Sequence, residues 1–191
     1  MPHPVMRPLR TVCVYCGSQS GTDLDFVSAA RQFGKILAEN KVGLVYGGGS
    51  IGLMGELARS VLDHGGIVTG IIPDFLTGTE RMLTTAQEMI VTRDMHGRKR
   101  LMFERSDAFV ALPGGVGTLE ELVEQLTWEQ LGQHRKPILI ADLKGFWQPL
   151  LTLFEQMRDG SFIPSTWPVR YLVATSVDDI LPQLQAAAAS E

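Results

Sequence analysis

Only two of the 191 residues are cysteine, and no apolar run comes near the roughly 20 residues needed to span a bilayer. The opening MPHPVMRPLR holds no apolar segment of the signal-peptide kind, so cytoplasm is the expected location. Positive charge is not in excess: 17 Lys+Arg stand against 21 Asp+Glu, a net charge of -4, with an isoelectric point near 5.6. A nucleic-acid binder normally shows a basic face or stripe, so neither nucleic acid nor membrane is expected as a partner. The histidines (His3, His64, His96, His134) form no metal-ligand spacing and no H-E-x-x-H occurs, so no metal is expected. The one C-x-x-C, Cys13-Val14-Tyr15-Cys16, lies in an alternating stretch that reads as a strand. Residues three apart on a strand point to opposite faces. The two thiols are therefore expected to be buried separately, and no second cysteine pair exists to complete a zinc site.

What remains is ordinary for a folded protein: 45% hydrophobic, 20% charged. No linker, repeat or low-complexity stretch divides the chain. One domain over 1–191 is expected, with 1–8 and 187–191 as frayed tails. β-branched runs at Thr11–Tyr15, Val42–Tyr46, Ile67–Ile72, Glu88–Thr92, Ala108–Leu112, Pro137–Ala141 and Arg170–Ala174 alternate with helical patterns at 23–39, 52–64, 94–105, 118–132, 147–159 and 177–187. Several runs (GLVYG, IVTGII, AFVALP, PILIA) are apolar on both faces, as central strands of a parallel sheet must be. The fold predicted is α/β: a Rossmann-like open, mostly parallel sheet of about seven strands with helices on both faces. Ligands of such sheets bind outside the carboxyl ends of the strands.

Three segments carry candidate chemistry. In Val45–Gly55, Gly47, Gly49 and Gly52 form G-x-G-x-x-G between a strand and a helix, where N-terminal amides and the helix dipole attract phosphate. The plain alternative is a turn that lets helix and sheet pack closely. The acidic residue that a dinucleotide site wants after the next strand has Asp74 as its only candidate. The second segment, Phe109–Glu121, is again strand, glycine turn and helix start, with Gly114, Gly115 and Gly117 uncovering a nest of amides. No Gly-Lys-Ser/Thr follows, so it is not a Walker A loop. Thr118-x-x-Glu121 also reads as a capping box. The predicted stripe of this helix is Leu119, Leu122, Val123 and Leu126, leaving Glu120, Glu121 and Glu124 off it. Three acids beside a phosphate turn call for a nearby cation. Asp94–Arg100 supplies one: on a helix, Arg98 shares a face with Met95, Leu101 and Met102. There it needs an anionic partner unless it snorkels at the helix edge.

Together these segments resemble the LONELY GUY (LOG) family of cytokinin-activating phosphoribohydrolases. The matches are Gly47–Gly55, the Met95-His96-x-Arg98-Lys99 turn, Cys16-Gly17-Ser18, and Pro113–Glu121 as P-G-G-x-G-T-x-x-E. The resemblance covers nearly the whole chain. It implies a hydrolase of N-glycosidic bonds in cytokinin riboside 5′-monophosphates and/or AMP, yielding free base and ribose 5-phosphate without a cofactor, and a homodimer. It also implies that Arg98 and Glu121 are the catalytic pair. Implied substrate contacts are Glu80, Arg98, Lys99, Gly114, Gly115, Val116, Gly117, Thr118, Leu119, Glu120 and Thr127. Gly17, Ser18, Gly47, Gly48, Gly49, Met54 and Met95 are candidates on the other matched segments. Val116 stands where plant members often carry an aromatic. Lysine decarboxylation, a label often attached to related sequences, has no support in the residues: nothing marks a Schiff-base lysine. The rival reading is a non-catalytic nucleotide or molybdenum-cofactor carrier of the same fold, which needs the glycine turns but no carboxylate beside the ribose.

Overall fold

Strands apolar on both faces need cover on both sides, and the computed structural model, which describes residues 9–78 and 81–190, provides it. Seven strands, β1 (Thr11–Tyr15), β2 (Gly43–Tyr46), β3 (Val68–Pro73), β4 (Glu88–Thr92), β5 (Ala108–Ala111), β6 (Ile138–Ala141) and β7 (Leu172–Ala174), form one sheet in the order β4-β3-β2-β1-β5-β6-β7. Every pairing is parallel. Each predicted strand and helix is present, with ends displaced by a few residues. Helices α1 (Leu24–Glu39), α2 (Gly52–Asp63) and α6 (Ile180–Ala188) close over one face, where Phe33, Leu37, Leu57 and Leu184 pack on Val12, Val14 and Leu44. Helices α3 (Met95–Glu104), α4 (Val116–Gln130) and α5 (Gln148–Asp159) cover the other, where Met102, Leu122, Leu126 and Phe154 pack on Tyr15 and Phe109. Cys13 belongs to the second core and Cys16 to the first, and both thiols are free, as strand alternation requires.

Two boundaries differ from expectation. The carboxyl-terminal helix ends at Ala188, one residue beyond the predicted 187. Helix α4 starts at Val116 rather than Thr118, with Gly115 as an N-cap that makes no side-chain hydrogen bond.

The sheet order fixes where a ligand can enter. β1 and β5 are neighbours, but the chain leaves β1 for α1 on one face and leaves β5 for α4 on the other. The crevice between these diverging connections is the switch point at which open α/β sheets bind ligands.

Candidate active site

At the carboxyl ends of β1 and β5 the two following loops are stitched together. The Gly17 amide donates to the Pro113 carbonyl at 3.1 Å, and Leu112 to Tyr15 at 2.9 Å. On the other side the Met54 amide, in the first turn of α2, donates to the Gly17 carbonyl at 3.2 Å. A pocket of ≈ 210 Å³ opens above this junction. β1 and its loop supply Cys16 and Ser18; α2 supplies Met54; α3 supplies Met95 and Arg98. The start of α4 supplies Gly115, Val116, Gly117, Thr118, Glu120 and Glu121. A neighbouring cavity of ≈ 330 Å³ shares Ser18 and Gly115 with it and adds Gly17, Pro113, Gly114 and the apolar side chains Phe26, Leu53 and Phe146.

Arg98 does not snorkel. It is 6% exposed, and three fixed groups receive its guanidinium. Nε donates to the Ile71 carbonyl at 3.1 Å and Nη2 to the Gly47 carbonyl at 3.4 Å, while Nη1 lies 3.6 Å from Glu121 Oε1. Asp94 sets this up by capping α3, its side chain accepting from the Gly97 amide at 2.8 Å. Gly47 is required here: a Cβ on it would fall 2.1 Å from Arg98 Nη2.

Glu121 does not close a capping box. With Gly115 as N-cap, Thr118 already lies inside the first turn and Glu121 sits in the second. It is 8% exposed. The buried face of α4 is rotated from the predicted one, comprising Thr118, Glu121, Leu122, Gln125, Leu126 and Glu129, whereas Val123 is exposed and Leu119 only partly covered. A carboxylate pointing inward needs a cation, and Arg98 is that cation. The charge extends its influence to β1: burial first, and Glu121 next, push the Cys16 thiol well above its ordinary range. Cys13 is raised by the same two causes in the same order. Although Cys16 lines the pocket, a thiol held neutral in this way is no nucleophile.

The helix start is open to an anion. The first amides of any α-helix lack partners within the helix, and its dipole favours negative charge there. A Cβ added at Gly115 or Gly117 would meet nothing within 4 Å, and neither residue has a positive φ. Neither the chain's packing nor its backbone conformation accounts for glycine at these two positions. Gly114 differs, because a Cβ there would strike the Thr118 side chain.

Other predicted contacts lie elsewhere. Gly47, Gly48 and Gly49 do not line the pocket. Their turn is engaged within the protein: Gly48 O accepts from the Leu83 amide at 3.0 Å, Gly49 bridges to Met82, and the Ser50 amide donates to Arg81 O at 3.0 Å. Gly52, at φ +62°, lies against Ser18. Packing accounts for this turn, and Met54 is the residue it sends to the pocket. Asp74 begins a short 3-10 turn (Asp74–Leu76) and does not line the pocket either. Lys99 is also absent from the lining; its ammonium sits on Glu120 Oε1 at 2.6 Å and Glu124 Oε2 at 2.7 Å. Thr127 is exposed, its hydroxyl donating to Val123 O at 2.7 Å, and Leu119 makes no part of the wall. Glu80 lies outside the described residues. Cys16 is the lining residue that sequence reasoning did not assign to the site, although its Cys-Gly-Ser context is among the matched segments. Among the described residues, no group of three or more His, Cys, Asp or Glu is arranged to hold a metal ion.

By fold and crevice this is a Rossmann-like α/β protein with an anion-suited helix start and a buried Arg–Glu pair at its switch point. Residues 54–184 match the family described as "Possible lysine decarboxylase". Cytokinin riboside 5′-monophosphate phosphoribohydrolase LOG2 of Arabidopsis thaliana is 46% identical over 157 residues, covering 82% of this chain and 74% of that protein. LOG7 of the same plant, named for the same activity, is 44% identical over 177 residues, covering 92% and 81%. The chain belongs to the LOG family of cytokinin riboside 5′-monophosphate phosphoribohydrolases. Among solved structures, the molybdenum cofactor carrier protein of Chlamydomonas reinhardtii superposes with a TM-score of 0.72 at 21% identity, covering 96% of this chain and 99% of that one. That likeness is one of fold. The decarboxylase description finds no counterpart in the pocket, whose lining contains no lysine.

Proposed function

We propose that this chain hydrolyses the N-glycosidic bond of adenine-type nucleoside 5′-monophosphates, cytokinin riboside monophosphates and/or AMP, releasing free base and ribose 5-phosphate. The observation that carries this reading is the buried Arg98–Glu121 pair, facing a pocket whose other wall is the glycine-flanked start of α4. The phosphate takes the amides around Gly115 and Gly117, where any side chain would stand in its way. The ribose then lies toward Glu121. As the C1′–N bond breaks, its electron pair leaves with the base and positive charge develops on the ribose, as in other glycoside hydrolyses. Glu121 stabilises that charge or takes a proton from the attacking water. Water oxygen bonds to C1′, and the proton it sheds ends on the departing base. Arg98 is no acid near neutral pH, since its pKa exceeds about 12. Anchored on two backbone carbonyls, it holds the Glu121 carboxylate in place. A carrier needs no buried carboxylate beside its cargo, so the likeness to the molybdenum-cofactor carriers extends to the fold alone.

The reaction takes place in the cytoplasm, in a homodimer. Val116, Val123 and Leu131 leave apolar surface exposed along α4, and Trp167 beside its end does the same; runs of this kind mark interfaces. None of the described helices is long and apolar enough to cross a membrane. The test is to incubate the protein with AMP, isopentenyladenosine monophosphate and adenosine and to separate the free bases by chromatography. Base should appear from a monophosphate and far more slowly from adenosine. Equal rates from AMP and adenosine, or no base from any substrate, would overturn the reading.

A further inference from the structure

One nitrogen of Arg98 faces side chains rather than backbone. Nε and Nη2 donate to the Ile71 and Gly47 carbonyls, whereas Nη1 lies 3.6 Å from Glu121 Oε1 and 3.8 Å from the Met95 sulfur. Met95 opens α3 and Arg98 follows it by three residues, so both stand on one face of the helix. A thioether is a weak acceptor and competes little with a carboxylate for Nη1. Oxidation changes that balance. One added oxygen turns methionine into a sulfoxide, which is polar and carries an oxygen acceptor where the thioether had only sulfur.

Of the residues lining the pocket, Cys16, Met54 and Met95 carry sulfur. Cys16 and Met54 are 6% and 5% exposed, whereas Met95 is only partly covered. Peroxides attack cysteine through its thiolate, and burial first, Glu121 next, keep the Cys16 thiol protonated. A thioether needs no such deprotonation, so Met95 is the sulfur of this pocket that a small oxidant meets. On the same helix Met102 is 1% exposed. Met82, Met89 and Met157 are partly covered as well, but none of them lines the pocket.

We propose that Met95 is an oxidation-sensitive switch of this site: hydrogen peroxide converts it to the sulfoxide, whose oxygen draws Arg98 Nη1 away from Glu121 and stops turnover until that oxygen is removed. In the step the peroxide O–O bond breaks and the sulfur gives up two electrons as the S–O bond forms. The second peroxide oxygen leaves as water. This rests on the function proposed above. The experiment treats wild type, Met95→Leu and Met157→Leu with hydrogen peroxide and locates the added oxygen by peptide mass spectrometry. AMP hydrolysis is compared with each protein's own untreated rate. Wild type should lose about tenfold or more of its rate as Met95 is oxidised, because small misplacements of reacting groups cost that much, and its circular dichroism should not change. Met157→Leu should be inactivated alongside it, and Met95→Leu should keep most of the rate it started with. Methionine sulfoxide reductases A and B, one for each sulfoxide epimer, should restore wild type with dithiothreitol as electron donor. Full oxidation of Met95 at unchanged rate, equal inactivation of Met95→Leu, or loss of circular dichroism in step with the rate would overturn the proposal. Should Met95→Leu fail to fold or start too slow to assay, wild type decides. The fraction of rate lost should equal the fraction of Met95 oxidised at each time point, and a match to another methionine instead would overturn the proposal. An inactive wild type would count against the proposed function. Met95 should even then oxidise ahead of Met54 and Met102, and the reverse order would remove it as the target.

Discussion

Glu121 and Arg98 are each improbable alone, since a carboxylate and a guanidinium under 10% exposed cost far more to bury apart than together. Their pairing is a structural necessity once both face inward, and catalysis is a second role laid on the same two groups. Substitution separates the two roles. Glu121→Gln keeps the shape and hydrogen-bonding reach of the side chain and removes only its charge. If that charge stabilises a ribosyl cation, turnover per folded molecule should fall by about two or more orders of magnitude, roughly 3 kcal/mol in the barrier, and the melting temperature should fall as well because Arg98 loses its buried counter-charge. Arg98→Ala should also abolish activity, and the double variant should be no worse than the worse single one. A Glu121→Gln enzyme at near wild-type rate, measured by release of adenine from AMP, would return the residue to a purely structural role. At this scale the sequence was informative: Arg98 on an apolar stripe had either to snorkel or to meet an anion, and its burial decides for the anion. What it withheld was the anion's direction, because Thr118-x-x-Glu121 satisfies the pattern of a capping box that the backbone does not build.

Helix α4 shows how an element can be legible in existence and misread in orientation. Its predicted stripe follows the apolar residues Leu119, Leu122, Val123 and Leu126, but the buried face keeps only Leu122 and Leu126 of these and adds Thr118, Glu121, Gln125 and Glu129. Periodicity assumes that apolar means inward. At a helix whose one end lines a pocket and whose outer face carries Val116 and Val123, that assumption fails in both directions. The helix start yields a prediction that opposes stability to function. Gly115 is an N-cap with room for a side chain, so Gly115→Asp should leave the folding stability unchanged or raise it by a few tenths of a kcal/mol, since Asp is a preferred cap. The same carboxylate would occupy the anion site, and turnover should disappear. Residual activity near wild type would remove the phosphate from this turn. The loop after α4 carries a second titration. Burial is the main cause holding His134 below its ordinary 6.5, with its ring against Phe103 and Phe109 and Nδ1 accepting from the Lys136 amide at 3.1 Å. The unfolded chain therefore takes up this proton first, and stability should fall as pH drops below about 6.5. In His134→Gln the melting temperature should depend less steeply on pH between about 7 and 5. An unchanged slope would exclude His134 as its source.

Across the whole molecule the sheet was the most legible feature, since runs apolar on both faces can only be central parallel strands. The strand order was not legible, because a crossover leaves no local mark on the residues it connects. Nor could the sequence say that the Gly47–Gly52 turn is taken up by packing, as Arg81, Met82 and Leu83, which meet it, lie some thirty residues on. Assembly is the prediction proper to this scale. Light scattering at micromolar concentration should give twice the 21.0 kDa of one chain, and Val123→Glu, on the exposed face of α4, should shift the protein toward monomer while its circular dichroism is retained. A purely monomeric wild type would end the dimer reading. The bond from the Gly17 amide to the Pro113 carbonyl bears on how the site comes into being. It joins segments about a hundred residues apart, so closing it carries a large loop-closure entropy and follows the pairing of β1 with β5. Neither half of the chain can hold a partial pocket, and on refolding the capacity to bind arrives with the central strand pair, in one step, however early the individual helices form.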